Sequence, residues 1–237
     1  MLKSSLLVLM LVMFFASAAQ AAFIQDKETF SGNIKDLNTW EEFIPHTGSS
    51  ITQNDGLTVI SGADYTTRFL KVGIGESVRV TATDGPNSSL DIFLTTNSGG
   101  TTTFTTFDSS YITISQTYFF DDGRSEFSAM QGGLGVASGL VMGSIIEPVG
   151  IAHDLEITRL SSNLAEFTVF NIQGSSLFQT QLSLNNIPDD LYISLSAGNA
   201  VFHDVSVVPE PSILAMLIIG LLALTFINRH TKCVRKS

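Results

Sequence analysis

Glu76-Ser-Val-Arg-Val-Thr-Ala-Thr83 sets Val78, Val80 and Ala82 against polar partners in strict alternation. A period of two puts one set of side chains on each face of an extended chain, which is the mark of a half-buried strand. Asp84-Gly85-Pro86-Asn87 follows as a turn, and Leu90-Asp-Ile-Phe-Leu-Thr95 comes next, so the two segments are expected to be neighbouring strands. The same period recurs further along the chain. Leu155 and Ile157 alternate with Asp154, Glu156 and Thr158, and Phe167 and Val169 point opposite to Thr168 and Phe170. Leu191 to Ser196 and Val201 to Val207 complete the series. Turn chemistry punctuates it at Asp55-Gly56, Gly62-Ala-Asp64, Asn97 to Gly100, Asp121-Asp-Gly123, Gln173-Gly174, Pro188-Asp-Asp190 and Gly198-Asn199. No segment between the two ends carries a convincing amphipathic helix; Leu37 to Phe43 reads as one short helical turn with Asn38 as its cap. Many short strands without an internal repeat predict an all-β fold, an antiparallel β-sandwich or jelly roll.

Composition bounds the function. The chain has 237 residues, of which 14% are charged and 44% hydrophobic, with a formal net charge of −10. Mean hydropathy is +0.29. No basic excess exists to displace counterions, so nucleic acid is excluded as a partner on electrostatic grounds. The apolar content is too high for long-range disorder. One cysteine, Cys233, rules out a disulfide framework. Residues 22–208 hold seven basic and 21 acidic residues, a net charge of −14. Charge is sparse there too, because the polar face of this domain is rich in Ser, Thr and Gly. The stretch Thr95 to Thr106 is its extreme, a flexible loop or an exposed Thr-rich hairpin.

The two ends carry targeting patterns. Lys3, the apolar run Leu6 to Ala16 and Ala19-Gln20-Ala21 read as a secretory signal peptide over residues 1–21, with cleavage after Ala21 set by the small residues Ala19 and Ala21. The apolar run Ile213 to Ile227 reads as a short transmembrane helix. Arg229, Lys232, Arg235 and Lys236 follow it and form a basic stop on the cytoplasmic side, which leaves residues 22–207 outside. An uncleaved N-terminal anchor and a plain C-terminal anchor are the alternatives. Pro209-Glu210-Pro211, the apolar helix and the basic terminus together resemble the PEP-CTERM sorting tail of Gram-negative bacteria, here residues 208–237. The resemblance implies export through the Sec translocon, an intermediate anchored in the inner membrane, and processing by an exosortase near the tripeptide. It further implies delivery to the cell surface or matrix and an association with extracellular polysaccharide and biofilm. His230, Thr231 and Cys233 depart from the arginine run usual in such tails.

Within residues 22–207, Asp154-Leu-Glu-Ile-Thr-Arg159, Ala165 to Asn171 with Gly174, and Leu191 to Val207 resemble the closing strands of concanavalin A-like lectin and glucanase jelly rolls, laminin-G-like modules included. The resemblance implies a glycan-binding module or a glycoside hydrolase. Retaining glycosidases set two carboxylates about 5 Å apart. Here only Asp154 and Glu156 share a strand face, without the third acid of the glucanase motif, so no catalytic residue is assigned and the protein is read as a non-catalytic one. His46, His153 and His203 lack metal-ligand spacing, and no Gly-x-Ser-x-Gly elbow is present. Gly132-Gly133-Leu-Gly135 matches no phosphate-binding loop, and Gly139 and Gly143 suggest a mobile loop or bulged strand. No cofactor is expected; Ca²⁺ would look to Asp121-Asp122 or Asp189-Asp190, and two acids in a turn supply too few oxygens alone. Asn87-Ser-Ser89 is a sequon by pattern. Trp40, Tyr65, Tyr111, Tyr118 and Tyr192 are either core residues or a stacking platform for sugar rings.

Overall fold

Strands form wherever the alternation of apolar and polar side chains persists. The computed structural model describes residues 26–86, 88–96, 112–119, 123–132 and 138–209. Its strands are β1 (Asp26–Thr29), β2 (Trp40–Phe43), β3 (Ser50–Gln53), β4 (Leu57–Val72), β5 (Glu76–Asp84), β6 (Ser88–Thr95) and β7 (Ile112–Phe119). They continue with β8 (Arg124–Gln131), β9 (Ser138–Ile146), β10 (Ala152–Ser161), β11 (Leu164–Asn171), β12 (Ser176–Ser183) and β13 (Leu191–Pro209). Asp26–Val208 form one compact unit. The signal peptide with Ala19 and Ala21, and the tail from Glu210 through Pro211, the 213–227 segment, Arg229, Lys232, Cys233, Arg235 and Lys236, lie outside the described residues. So do Asn87, most of Thr95 to Thr106, Tyr111, Asp121, Asp122, and Gly133 to Gly135. Among the described residues no helix is long and apolar enough to cross a membrane.

All pairing among the registered strands is antiparallel, and the hydrogen-bonded network folds into two layers. The order is β12-β11-β10-β5-β13-β6-β7-β8-β9, with β1 and β4 also on β13, and β2 and β3 on β4. The first layer runs from β4 through β13, β6, β7 and β8 to β9. The second runs from β13 through β5, β10 and β11 to β12. Strand β13 belongs to both: Leu195 lies opposite Tyr65 of β4 and Ile92 of β6, while Val205 lies opposite Glu28 of β1. Near its middle, the Asn199 carbonyl accepts the Gly85 N–H at 2.8 Å.

The transfer between layers occurs at paired irregularities. The β4–β13 register shifts between Ala197 and Asn199, opposite the step from Ile60 to Ala63. Ser61 and Gly62 take the left-handed conformation there, with φ of 59° and 72°. Gly62-Ala-Asp64 and Gly198-Asn199 are therefore bulges inside long strands, not turns, and Leu191 to Val207 is one strand rather than a closing pair. Bulges of this kind bend a strand and raise its twist, which lets it leave one sheet for the other.

The turn at Asp84-Gly85-Pro86 does not join β5 and β6 as a hairpin. They are not hydrogen-bonded neighbours; β13 separates them in the strand order, and the Asp84–Pro86 connection crosses between layers. Their inward rows Val78, Val80, Ala82 and Leu90, Ile92, Leu94 meet in one core, all fully buried. The crossing is tight at Gly85, where a Cβ would lie 2.5 Å from Asn199 Nδ2 and 3.0 Å from the Asn199 carbonyl oxygen. Of Leu37 to Phe43, only Leu37 to Thr39 forms the expected single turn, closed by the Trp40 N–H on the Asp36 carbonyl at 3.0 Å. Asp36, rather than Asn38, organises the turn, accepting the Asn38 and Thr39 N–H groups and the Thr39 hydroxyl at 3.0, 3.4 and 2.7 Å. The bonds hold its carboxyl below the ordinary value, and Trp40 then begins β2.

The interior is aromatic at one end. Trp40 and Tyr65 stack with ring centroids 4.8 Å apart and planes 1° apart, and Phe30 meets both edge-on at 5.6 and 6.2 Å. At the far edges, β12 closes onto β8 and β9. Phe178 lies 6.2 Å from Phe127 and presses against Gly143, where a Cβ would fall 2.5 Å from its ring. The segment holding Gly139 and Gly143 is thus strand β9, and Gly143 is small because β12 packs there.

Candidate functional site

Inward placement of Leu90, Ile92 and Leu94 turns Asp91 and Phe93 to the outer face of the first layer. Register then assembles a row across four strands. Asp91 lies opposite Ser196 on one side and Ser115 on the other, and Ser196 lies opposite Asp64. The adjacent row is Thr66, Ser194, Phe93 and Thr113, with the Thr66 and Ser194 hydroxyls 2.7 Å apart. Strands lie about 4.8 Å apart, so the Asp64 and Asp91 backbones are about 10 Å apart, with Ser196 between them.

The residues of these two rows are buried. Asp64 is 1% exposed, Asp91 and Ser115 8%, and Thr113 2%. Burial pushes the Asp91 carboxyl up to about 6; the Ser115 hydroxyl, which donates to it, opposes the shift, and the Asp64 charge adds to it. The Thr113 hydroxyl has no hydrogen-bond partner among the described residues. On the same face, four residues along the strands from the Asp91 row in opposite directions, lie Tyr192, with the Lys71 ammonium 5.1 Å above its ring, and Phe119, with the Arg124 guanidinium 5.1 Å above its ring. Leu140, Met142 and Ile146 extend an exposed apolar stripe along β9. Two carboxylates, several hydroxyls and flanking aromatic rings are therefore gathered on one sheet face.

The outer face of the second layer is closed on itself. Arg79 donates to Glu156 at 2.7 Å and covers the Phe170 ring at 4.7 Å. Thr81 donates to Asp154 at 2.7 Å and to Asp204 at 3.2 Å, and Asp204 also pairs with Lys27 at 3.7 Å. Asp154 and Glu156 thus serve the cross-strand ladder of a wet face. His203 hydrogen-bonds Thr83 on the same face at 2.9 Å, and His46 bonds Ser49 in a loop at 3.1 Å.

Asp190 sits 3.7 Å from Lys71. Arg159, fully buried, donates to the Pro188 carbonyl at 2.9 Å. Burial lowers the Arg159 pKa, and the charges of Asp189 and Asp190 oppose that shift. This turn is acidic because a buried guanidinium lies beneath it. Among the described residues no group of three or more His, Cys, Asp or Glu is placed to hold a metal ion. Of the aromatic candidates among the described residues, Trp40, Tyr65 and Tyr118 belong to the buried interior, and Tyr192 stands on the outer face.

In the sequence, Asp64 carries only the signature of a turn residue beside Gly62, and Asp91 only that of a polar member of an alternating strand. The available signal was a carboxylate at position 91 in a strand with no basic residue between Leu90 and Thr95.

No protein-family model matches the chain, and no curated protein matches it in sequence. Solved structures do match in shape. A β-1,3-glucanase from Mycobacterium marinum aligns over 78% of this chain and 98% of its own, at 10% identity and a TM-score of 0.51. Lectin II from Ulex europaeus aligns over 78% and 98%, at 11% identity and a TM-score of 0.52. A legume lectin-like domain from Entamoeba histolytica aligns over 73% and 91%, at 10% identity and a TM-score of 0.52. At such identities the likeness establishes architecture alone: the chain has the concanavalin A-like jelly-roll fold of these glucanases and lectins.

Proposed function

We propose that this protein is an exported, non-catalytic jelly roll that binds extracellular polysaccharide through the outer face of its first layer. In this reading, exosortase processing of the 208–237 tail delivers it to the cell surface or matrix. The observation that carries the binding role is the row Asp64–Ser196–Asp91–Ser115 on a sheet face that also carries Tyr192 and Phe119. Carboxylates and hydroxyls match sugar hydroxyls, and aromatic rings match the apolar faces of sugar rings. The lectin and glucanase neighbours support a carbohydrate ligand. The test is a glycan array probed with the detergent-solubilised full chain, with and without Ca²⁺. Retention on a defined glycan, weakened at least tenfold by Asp64→Ala with Asp91→Ala, is expected. No retention in either state sinks the binding role. Mass spectrometry of surface material tests sorting, and a mature population that keeps Cys233 overturns it.

A glycoside hydrolase is the second reading. It is favoured by Asp91, whose raised pKa suits a proton donor, with Asp64 on the same row as the partner acid. Release of reducing ends from β-glucans, abolished by Asp91→Asn, would establish it.

A further inference from the structure

A second polar cluster lies between the layers and serves neither outer face. Asp84 ends the inward row Val78, Val80, Ala82 of β5 and is 3% exposed. Gln116 of β7, Ser125 of β8 and His153 of β10 also point inward and are fully buried. His153 lies opposite Ala82, one inward position from Asp84. Its Nε2 donates to Glu147, in the β9–β10 connection, at 3.0 Å. Three polar atoms here, Gln116 Oε1, Ser125 Oγ and His153 Nδ1, have no hydrogen-bond partner among the described residues, and the Gln116 amide is the group that faces the Asp84 carboxyl. Orphaned polar groups inside a sandwich are costly, and an ionised carboxylate is the costliest of them.

We infer that Asp84 is a buried proton-binding site, held in the interior as a neutral carboxylic acid, whose ionisation loosens the sandwich end where β5 crosses to β6 and β9 returns to β10. A neutral acid offers one donor and one acceptor to its amide, hydroxyl and imidazole neighbours. An ionised one offers only acceptors and faces the like charge of Glu147. Burial is the main cause that pushes Asp84 up to about 7, and the Glu147 charge adds to it; its own N–H and the nearby Gln116 amide oppose the shift. Among the described residues, the titratable groups around the site are Glu147, His153 of β10 and Tyr118 of β7, while β8 brings the neutral Ser125. His203 of β13 bonds Thr83 on the other face of the sheet, and no described lysine or arginine is ion-paired with Asp84.

Hydrogen exchange of the full chain, read by mass spectrometry at pH 5.5 and 8.5 and corrected for intrinsic rates, tests the switch. In the wild type, protection of residues 78–86 and 144–154 drops at least tenfold at the higher pH. Asp84→Asn, which keeps a neutral side chain of the same shape, abolishes the drop; Asp91→Asn, on the other side of the first layer, retains it. A drop that survives in Asp84→Asn, or no drop in the wild type, overturns the inference. Should Asp84→Asn fail to fold, Glu147→Gln decides: the transition moves to lower pH, and an unmoved transition overturns the inference.

Discussion

Asp91 and Trp40 show how one residue type takes its role from position. Trp40 was weighed as a sugar platform, yet its ring is fully buried and stacked on Tyr65. Trp40→Ala is expected to cost about 3–5 kcal/mol of stability, from lost transfer energy and the cavity left behind. A urea midpoint within error of the wild type would contradict that packing. Asp91 was legible as the polar partner of Leu90 and Ile92, but its neighbours Ser196 and Ser115 come from strands some 105 and 24 residues away. Local alternation reports which face a side chain takes. It carries no record of which strand lies beside it, so the row containing Asp64 and Asp91 was invisible in the sequence. The Asp154–Glu156 pair was readable as a wet strand face because its burial depends on its own strand alone.

At the scale of elements, alternation located strands better than it located their ends. The inward set His153, Leu155, Ile157 and Arg159 follows a period of two without a break. Glycine beside a polar residue signals a turn and a bulge equally, since both use the left-handed region. That is why Gly62 and Gly198 were read as turns, although β4 and β13 run through them. The structure predicts a specific cost at Gly62, where φ is 72° and no atom lies within 4 Å of an added Cβ. Gly62→Val should destabilise by about 1–2 kcal/mol through backbone strain alone. An unchanged denaturation midpoint would mean that the bend is not needed. The β5–β6 arch was misread for a related reason: a tight polar turn fits a hairpin within one sheet and a crossing between two. The contact that decides it, Gly85 on Asn199, is distant in sequence.

Taken as a whole molecule, the domain gathers acidity without matching cations. Asp84 and Asp91 keep their protons in the folded state up to about pH 7 and 6, whereas the unfolded chain ionises near the ordinary value of 3.8. Between those limits the folded state binds more protons, so stability should fall as pH rises from 4 to 7. Urea denaturation at pH 4.5, 6 and 8 checks the sign, and a flat or rising series is the contrary outcome. The net charge of −14 over residues 22–208 acts in the same direction, through self-repulsion that salt screens. Melting temperature at pH 8 should therefore rise by a few degrees on adding about 0.3 M NaCl; a fall would show that ion pairs such as Arg79–Glu156 outweigh repulsion. The placement of β13 carries a further consequence, for the order of assembly. The last of the described strands to be synthesised lies inside both layers, between β4 and β6 in one and between β1 and β5 in the other. Among the described strands, those before it share no hydrogen-bonded seam between the two layers until it arrives. A nascent chain shorter than about 200 residues therefore stays open and threadable, and closure waits for nearly complete synthesis.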